Sequence, residues 1–343
     1  MTTLVTGAHG FVGSHLVAAL LERGDIVRVM DRPDPRPADV GGDRLSGLDL
    51  LGIRDGVELV EADLRDSGAV DSAVAGCDVV FHLAAQTIVG VARSSPRETL
   101  EVNVAGAWNV FEACREHGAE RVVFASSDKA YGTSPELPYR EDFPLRASYP
   151  YDASKAAADI IARSYANAYG LPIAVTRFAN VYGGGDLNFS RLVPETVVAV
   201  LDGRPPVIRS DGSPERDFLH VDDAVSAYLA IDDGLGRGAQ SGDGLAGEAL
   251  NAGGERPHSV REVVEWIVTE GGGGVEPDFH GAGNPDGEID RQFVDSSKLR
   301  ELTGWRPAVE LSDGLRRTLE WYRAHPEARP ARHAASRPAR STI

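Results

Sequence analysis

The chain has 343 residues, 42% of them hydrophobic, and a formal net charge of −17. That length buries a large core in one large or two modest domains, and the acidic balance excludes a broad surface for nucleic acid or acidic membrane. Two cysteines, Cys77 and Cys114, make no disulfide framework and fit a reducing cytoplasm; no signal peptide or bilayer-spanning run is visible, and the nine histidines show no metal-ligand spacing.

Thr3 to Thr6 reads as a short buried strand, followed by Gly7-Ala8-His9-Gly10-Phe11-Val12-Gly13, a G-x-x-G-x-x-G turn. Phe11 to Arg23 has helical spacing with Val12, Leu16, Ala19 and Leu20 inward. Gly24 ends that helix, and Ile26 to Met30 is the next strand, finishing at Asp31. Strand, glycine turn, helix, strand and terminal acid form a dinucleotide-binding unit. Gly7 permits the tight turn, Gly10 admits backbone amides to a pyrophosphate, and Gly13 lets helix and strand close. The helix start at Phe11 and Val12 adds partial positive charge. Asp31 accepts from adenosine ribose hydroxyls and repels a 2′-phosphate, which selects NAD; the neighbouring Arg32 pulls the other way.

Further strands are expected at 57–60, 79–83, 122–125 and 173–178, with helices at 97–117 and 151–169 between them. Strands separated by helices of this length make an α/β fold, a doubly wound parallel sheet of Rossmann type. After residue 180 the pattern breaks into loops and short elements, which marks a smaller C-terminal substrate-binding α/β domain over the carboxyl edge of the sheet. The expected division is 1–180 with 216–250 for the cofactor, 181–215 with 251–325 for the substrate, and a disordered tail over 326–343. Gly271 to Gly274 reads as a flexible turn.

The chemistry is marked by lysine. Only three stand in the chain, at 129, 155 and 298, against thirty-two arginines. Tyr151 and Lys155 form Y-x-x-x-K, and residues four apart share a helix face. An ammonium beside the phenol is expected to lower its pKa and make a base able to deprotonate a sugar hydroxyl. Lys129 ends Ser126-Ser127-Asp128-Lys129, just after the apolar run Val122 to Ala125.

With Asp63-Leu64, His82-Leu83-Ala84-Ala85, Asn103 to Gly106, Tyr131-Gly132, Arg177 to Gly183, Arg216 to Asp223 and Leu302 to Pro307, these motifs resemble the extended short-chain dehydrogenase/reductase superfamily, in its nucleotide-sugar epimerase/dehydratase branch, over about residues 1–325. The resemblance implies a catalytic triad of Ser127, Tyr151 and Lys155. It places Asp63 and Leu64 at the adenine, Leu83, Ala84, Ala85 and Asn103 along the cofactor, and Tyr151 and Lys155 at the nicotinamide end. Gln86, Asn180, Arg191, Arg216 and Arg291 would meet a nucleotide-diphosphate sugar. A homodimer through the helices near 97–117 and 151–169 is implied as well.

Asp128-Lys129 looks like the Asp-Lys pair of CDP-glucose 4,6-dehydratases. Oxidation at C4 makes the C5 proton acidic; Lys129 would remove it, and a protonated Asp128 would protonate the departing C6 hydroxyl. Three other readings stand beside this one. Asp128-Lys129 is an internal ion pair in a plain 4-epimerase, the chain is a non-catalytic NAD(H) sensor or scaffold, and His82 is a packed side chain rather than a catalyst.

Overall fold

A computed structural model describes residues 1–32, 45–241, 244–281 and 289–330. Seven parallel strands form the main sheet, in the order Ala249–Ala252, Ile173–Phe178, Arg121–Ala125, Val79–His82, Thr2–Thr6, Ile26–Asp31 and Glu58–Glu61. The chain steps outward in one direction from Thr2–Thr6 and then returns to its other side at Val79–His82. That reversal opens a crevice at the carboxyl ends of these two strands, where such sheets take ligands.

Side-chain alternation builds the two cores. Leu4 packs with Met30, Val80, Val122 and Ile173 on one face, while its neighbour Val5 joins Val29, Phe81 and Val123 on the other. Both faces are covered, so the strands are continuously apolar, as in Val122-Val123-Phe124. Helices Phe11–Arg23 and Val221–Ser241 cover one face through Leu16, Leu20, Tyr228 and Ile231. Helices Gly106–His117 and Pro150–Tyr169 cover the other, with Phe111 and Ala158 inward. The doubly wound expectation therefore holds.

The expected 97–117 helix is not uniform. Pro96–Leu100 and Gly106–His117 are α-helical, and Glu101–Ala105 between them is a π-helical turn. Pro150 starts the next long helix at a position where a missing N–H costs nothing, and Gly170, at φ 70°, ends it.

A third core joins helices Leu192–Leu201, Val260–Glu270 and Leu311–Ala324 through Val197, Val264, Ile267, Leu319 and Tyr322. Beside it, strand Glu215–His220 pairs with Pro257–Ser259, Arg291–Gln292 and Asn180–Tyr182. A disordered tail is expected from residue 326, but residues 326–330 are ordered. Pro326–Ala328 is a single 3-10 turn with Ala328 buried, and Arg329 lies 3.8 Å from Asp202; residues 331–343 lie outside the described residues. Cys77 and Cys114 are free and buried, and no described helix is long and apolar enough to cross a membrane.

Candidate active site

The glycine turn is closed by contact. A Cβ on Gly13 would sit 2.2 Å from the Gly7 carbonyl oxygen, and one on Gly7, whose φ is +77°, would sit 2.7 Å from the Ala84 nitrogen. Only glycine lets the helix, the turn and the loop after Val79–His82 meet so closely. Gly10 caps helix Phe11–Arg23 without a side-chain bond, and its first turn carries no acid, so its amides remain available to an anion. Phe11 and Val12 begin the helix packed against the first core. Asp31 accepts from the His9 and Arg32 amides at 2.9 and 2.8 Å, which fixes its carboxylate beside the turn. Leu83 bonds through its amide to Thr6 O, and Ala84 to Thr6 Oγ1 at 3.1 Å. This cradle fits the pyrophosphate and ribose of a dinucleotide.

Several expected contacts are otherwise engaged. Asp63 is gripped by Arg65 through its backbone N–H, Nε and Nη2, and that guanidinium holds its carboxyl below the usual range. Leu64 packs on Gly106 and accepts from Asn109 at 2.8 Å. Asn103 lies on the π-turn with both ends of its amide committed. It accepts from Gln86 N at 2.7 Å and donates to Gln86 O at 3.0 Å and Ser154 Oγ at 2.9 Å. It therefore braces the Ala85-Gln86 loop. The Gln86 side chain is tied inward too: it donates to Ile88 O and accepts from Thr99 Oγ1. His82 is buried between Phe111 and Phe124 and shares a hydrogen bond with Thr6; burial pushes it down to about 3, so it is a neutral packed side chain.

The reactive groups converge where strand Arg121–Ala125 meets helix Pro150–Tyr169. Ser127 caps a 3-10 turn, Asp128–Tyr131, accepting from the Lys129 amide at 3.2 Å and donating to Asp128 Oδ1 at 3.1 Å. Tyr151 and Lys155 occupy the buried helix face, as their spacing requires. One expectation fails. Burial pushes the Tyr151 phenol up to about 12, opposed by Arg191 and the adjoining Ser127 hydroxyl and reinforced by Asp128 and Asp152. Lys155 lies four residues further along the same helix face. Its ammonium donates to the Ala125 carbonyl at 2.9 Å, and burial brings it down to about 8. A buried ammonium takes the strong acceptor in reach, and here that acceptor belongs to the neighbouring strand.

Asp128 is 3% exposed, and burial pushes its carboxyl up to about 6 against the pull of Lys129, Ser127, Arg216 and Gln292. Lys129 is half-buried, and among the described residues no carboxylate lies within 4.0 Å of its ammonium, so the internal ion-pair reading finds no closed pair.

Arg216 and Arg291 part company. In parallel register Gln292 stands opposite Arg216, and Arg291 opposite Glu215. Successive strand residues face opposite sides, so Arg216 and Gln292 share the Asp128 side while Arg291 turns away. Arg291 is exposed and bonds Glu215 at 2.6 Å, so in this structure it stands in a surface ion pair. Arg216 Nη1 donates to the Glu215 and Asp290 carbonyls. Arg191 caps helix Leu192–Leu201, bonds Asp186 at 3.2 Å and lies within electrostatic reach of Tyr151. Asn180 donates to Asp217 O at 3.3 Å.

Sequence reasoning missed Gln292 and Arg177. Gln292 sits on a two-residue strand too short to show alternation. Arg177 lies in an apolar strand, where an arginine demands a buried anion, and that was the available signal.

Residues 3–243 match the NAD dependent epimerase/dehydratase family. A UDP-glucose 4-epimerase of Mycolicibacterium smegmatis is 35% identical over 332 residues, covering 94% of this chain and 99% of that relative. A dTDP-glucose 4,6-dehydratase of Streptomyces niveus is 32% identical over 329 residues, covering 94% and 93%. Among solved structures, the dTDP-glucose 4,6-dehydratase of Streptomyces venezuelae with NAD bound has a TM-score of 0.82 at 31% identity, covering 94% and 97%.

Proposed function

The chain belongs to the NAD dependent epimerase/dehydratase family, and from that premise we propose that it is an NAD-dependent nucleotide-sugar 4,6-dehydratase, a lyase. The observation that carries the choice is Asp128, a buried carboxyl that burial pushes up to about 6 beside the Lys129 ammonium, which closes no ion pair among the described residues. An epimerase needs no such pair.

Bound NAD would supply the acceptor for hydrogen from sugar C4 and return it at C6. Gly7, Gly10, Gly13 and Asp31 would hold its pyrophosphate and adenosine ribose, and Lys155 its nicotinamide ribose. Tyr151 takes the C4 hydroxyl proton, with the Ser127 hydroxyl and Arg191 charge favouring its ionised form. The 4-keto group then acidifies C5–H. Lys129 takes that proton, Asp128 gives its own to the C6 oxygen, and water leaves. Arg216 and Arg191, with Asn180, face the sugar nucleotide's diphosphate, since guanidinium groups suit phosphate oxygens.

The epimerase reading is favoured by the 35% identity to a UDP-glucose 4-epimerase. It uses Ser127, Tyr151 and Lys155 alone. NAD-loaded protein incubated with CDP-, dTDP-, UDP- and GDP-glucose separates the two by mass spectrometry. Loss of water from one of them is expected; conversion to the C4 epimer at unchanged mass would overturn the dehydratase reading.

The same reading includes a homodimer. Leu100, Trp108 and Ile160 are 44%, 47% and 58% exposed on the helices Pro96–Leu100, Gly106–His117 and Pro150–Tyr169. A second copy of these helices would cover them. The two free buried thiols suit a reducing, cytoplasmic setting.

A further inference from the structure

Three buried polar atoms converge beside the Asp128 turn without a hydrogen-bond partner. They are Asp128 Oδ2 and both amide atoms of Gln292, a side chain with no solvent exposure. Gln292 reaches this point because it stands opposite Arg216 on the inward side of the small sheet. It lies near enough to Asp128 to ease ionisation of the carboxyl, yet not in bonding geometry with it. An apolar side chain of the same size would avoid the cost of unpaired amide atoms at this position. A group that completes their bonds must both donate and accept, and it must be small. A hydroxyl meets those terms.

We propose that Asp128 and Gln292 together form the receptor for the C6 hydroxyl of the sugar, the group that departs as water. The inference rests on the dehydratase reading and adds to it a sugar-binding residue and the atom it holds. A hydroxyl has one hydrogen and two lone pairs. With its hydrogen given to the Gln292 carbonyl, its oxygen turns a lone pair to the Asp128 carboxyl. In the elimination Lys129 takes the C5 proton and the C5–H electron pair becomes the second bond between C5 and C6. The C6–O bond breaks, and the oxygen takes the Asp128 proton. Water leaves, a carboxylate remains, and the Gln292 amide N–H faces that new charge. An acid held in this way protonates the C6 oxygen and not another hydroxyl of the ring.

The test is calorimetric titration of NAD-loaded protein in a Tyr151→Phe background, where turnover does not confuse binding. The probes are dTDP-glucose, dTDP-6-deoxyglucose and dTDP, with the UDP series run alongside. The 6-deoxy sugar is expected to bind about tenfold more weakly than the hydroxylated one, the worth of one buried hydrogen-bond set. Adding Gln292→Met should weaken the hydroxylated sugar by a similar factor and leave the 6-deoxy sugar and the nucleoside diphosphate unchanged. The thermal midpoint of the unliganded variant should match or exceed the parent, because two unpartnered polar atoms are gone. An equal loss for all probes would make Gln292 a structural residue. A difference between the two sugars that survives in Gln292→Met, or that is absent from the parent, would place the C6 hydroxyl elsewhere. A wild-type enzyme that epimerises without losing water sinks the dehydratase reading while leaving this binding contrast to be decided on its own.

Discussion

Arg177 donates to both carboxylate oxygens of Asp159, at 2.8 and 2.9 Å, and both side chains are almost wholly out of solvent. The pair ties strand Ile173–Phe178 to helix Pro150–Tyr169. Arg177 Nη1 also bonds the Tyr131 hydroxyl at 3.0 Å, and Tyr131 closes the turn that carries Asp128 and Lys129. One guanidinium thus sets the distance between the proposed C5 base and the proposed C4 base.

Arg177→Met leaves a buried carboxylate unpaired and should cost roughly 3–5 kcal/mol in urea unfolding. Arg177→Met with Asp159→Leu should recover much of that loss, because an apolar pair replaces two buried charges. If the single variant unfolds at the wild-type urea concentration, the pair is not what holds helix to strand.

Lys129→Met separates the steps of the proposed reaction. C4 oxidation should survive, since Tyr151 and Lys155 remain, and the 4-keto sugar should accumulate without loss of water or uptake of solvent deuterium at C5. Tyr151→Phe should instead stop at the first step, about a hundredfold to ten-thousandfold slower, with NAD still bound. Dehydration at the wild-type rate in Lys129→Met would strip Lys129 of its role.

Asp128 makes stability depend on pH. Its folded pKa of about 6 lies above the ordinary 3.8, so the folded chain keeps a proton that the unfolded chain releases between these values. Its contribution is therefore full below about pH 4 and lost as pH rises through about 6, by roughly 3 kcal/mol at most. The charged or titratable groups around it are Lys129, Arg216, Tyr139, Tyr151 and Asp217, the last pushed up to about 7 by burial. Urea unfolding should show Asp128→Asn gaining on wild type between pH 4.5 and 7; a gap independent of pH would mean the carboxyl is ionised throughout.

Ile160→Asp and Trp108→Glu should each turn a dimer into a monomer in analytical ultracentrifugation, because a charge at the centre of a buried apolar patch has no partner. Unchanged sedimentation of both variants would place the interface on another surface.

The sheet and the cofactor cradle were legible because they rest on local rules. Glycines at 7, 10 and 13 and apolar runs such as Val122 to Phe124 state their geometry within a few residues. The pairing of Tyr151 with Lys155 was legible as a helix face, but the ammonium's partner was not, since the Ala125 carbonyl belongs to another strand. The inward position of Gln292 beside Arg291 was hidden for a similar reason. A strand of two residues carries no period, and only its register against Glu215–His220 says which side chain faces inward. Residues 326–330 fold back because Ala328 finds a buried place that their Arg, Ala and Pro composition does not announce.

The π-helical turn Glu101–Ala105 carries one residue more than a regular helix would need, and that residue is what aims Asn103 at the loop after Val79–His82. Each α-helical residue turns the chain by about 100°. Excising one position from this turn would let the two flanking helices fuse into a straighter and better-bonded rod, with Asn103 swung off Gln86 and Ser154. The smoother helix would be the poorer enzyme, and its irregularity is a defect kept for what it steers.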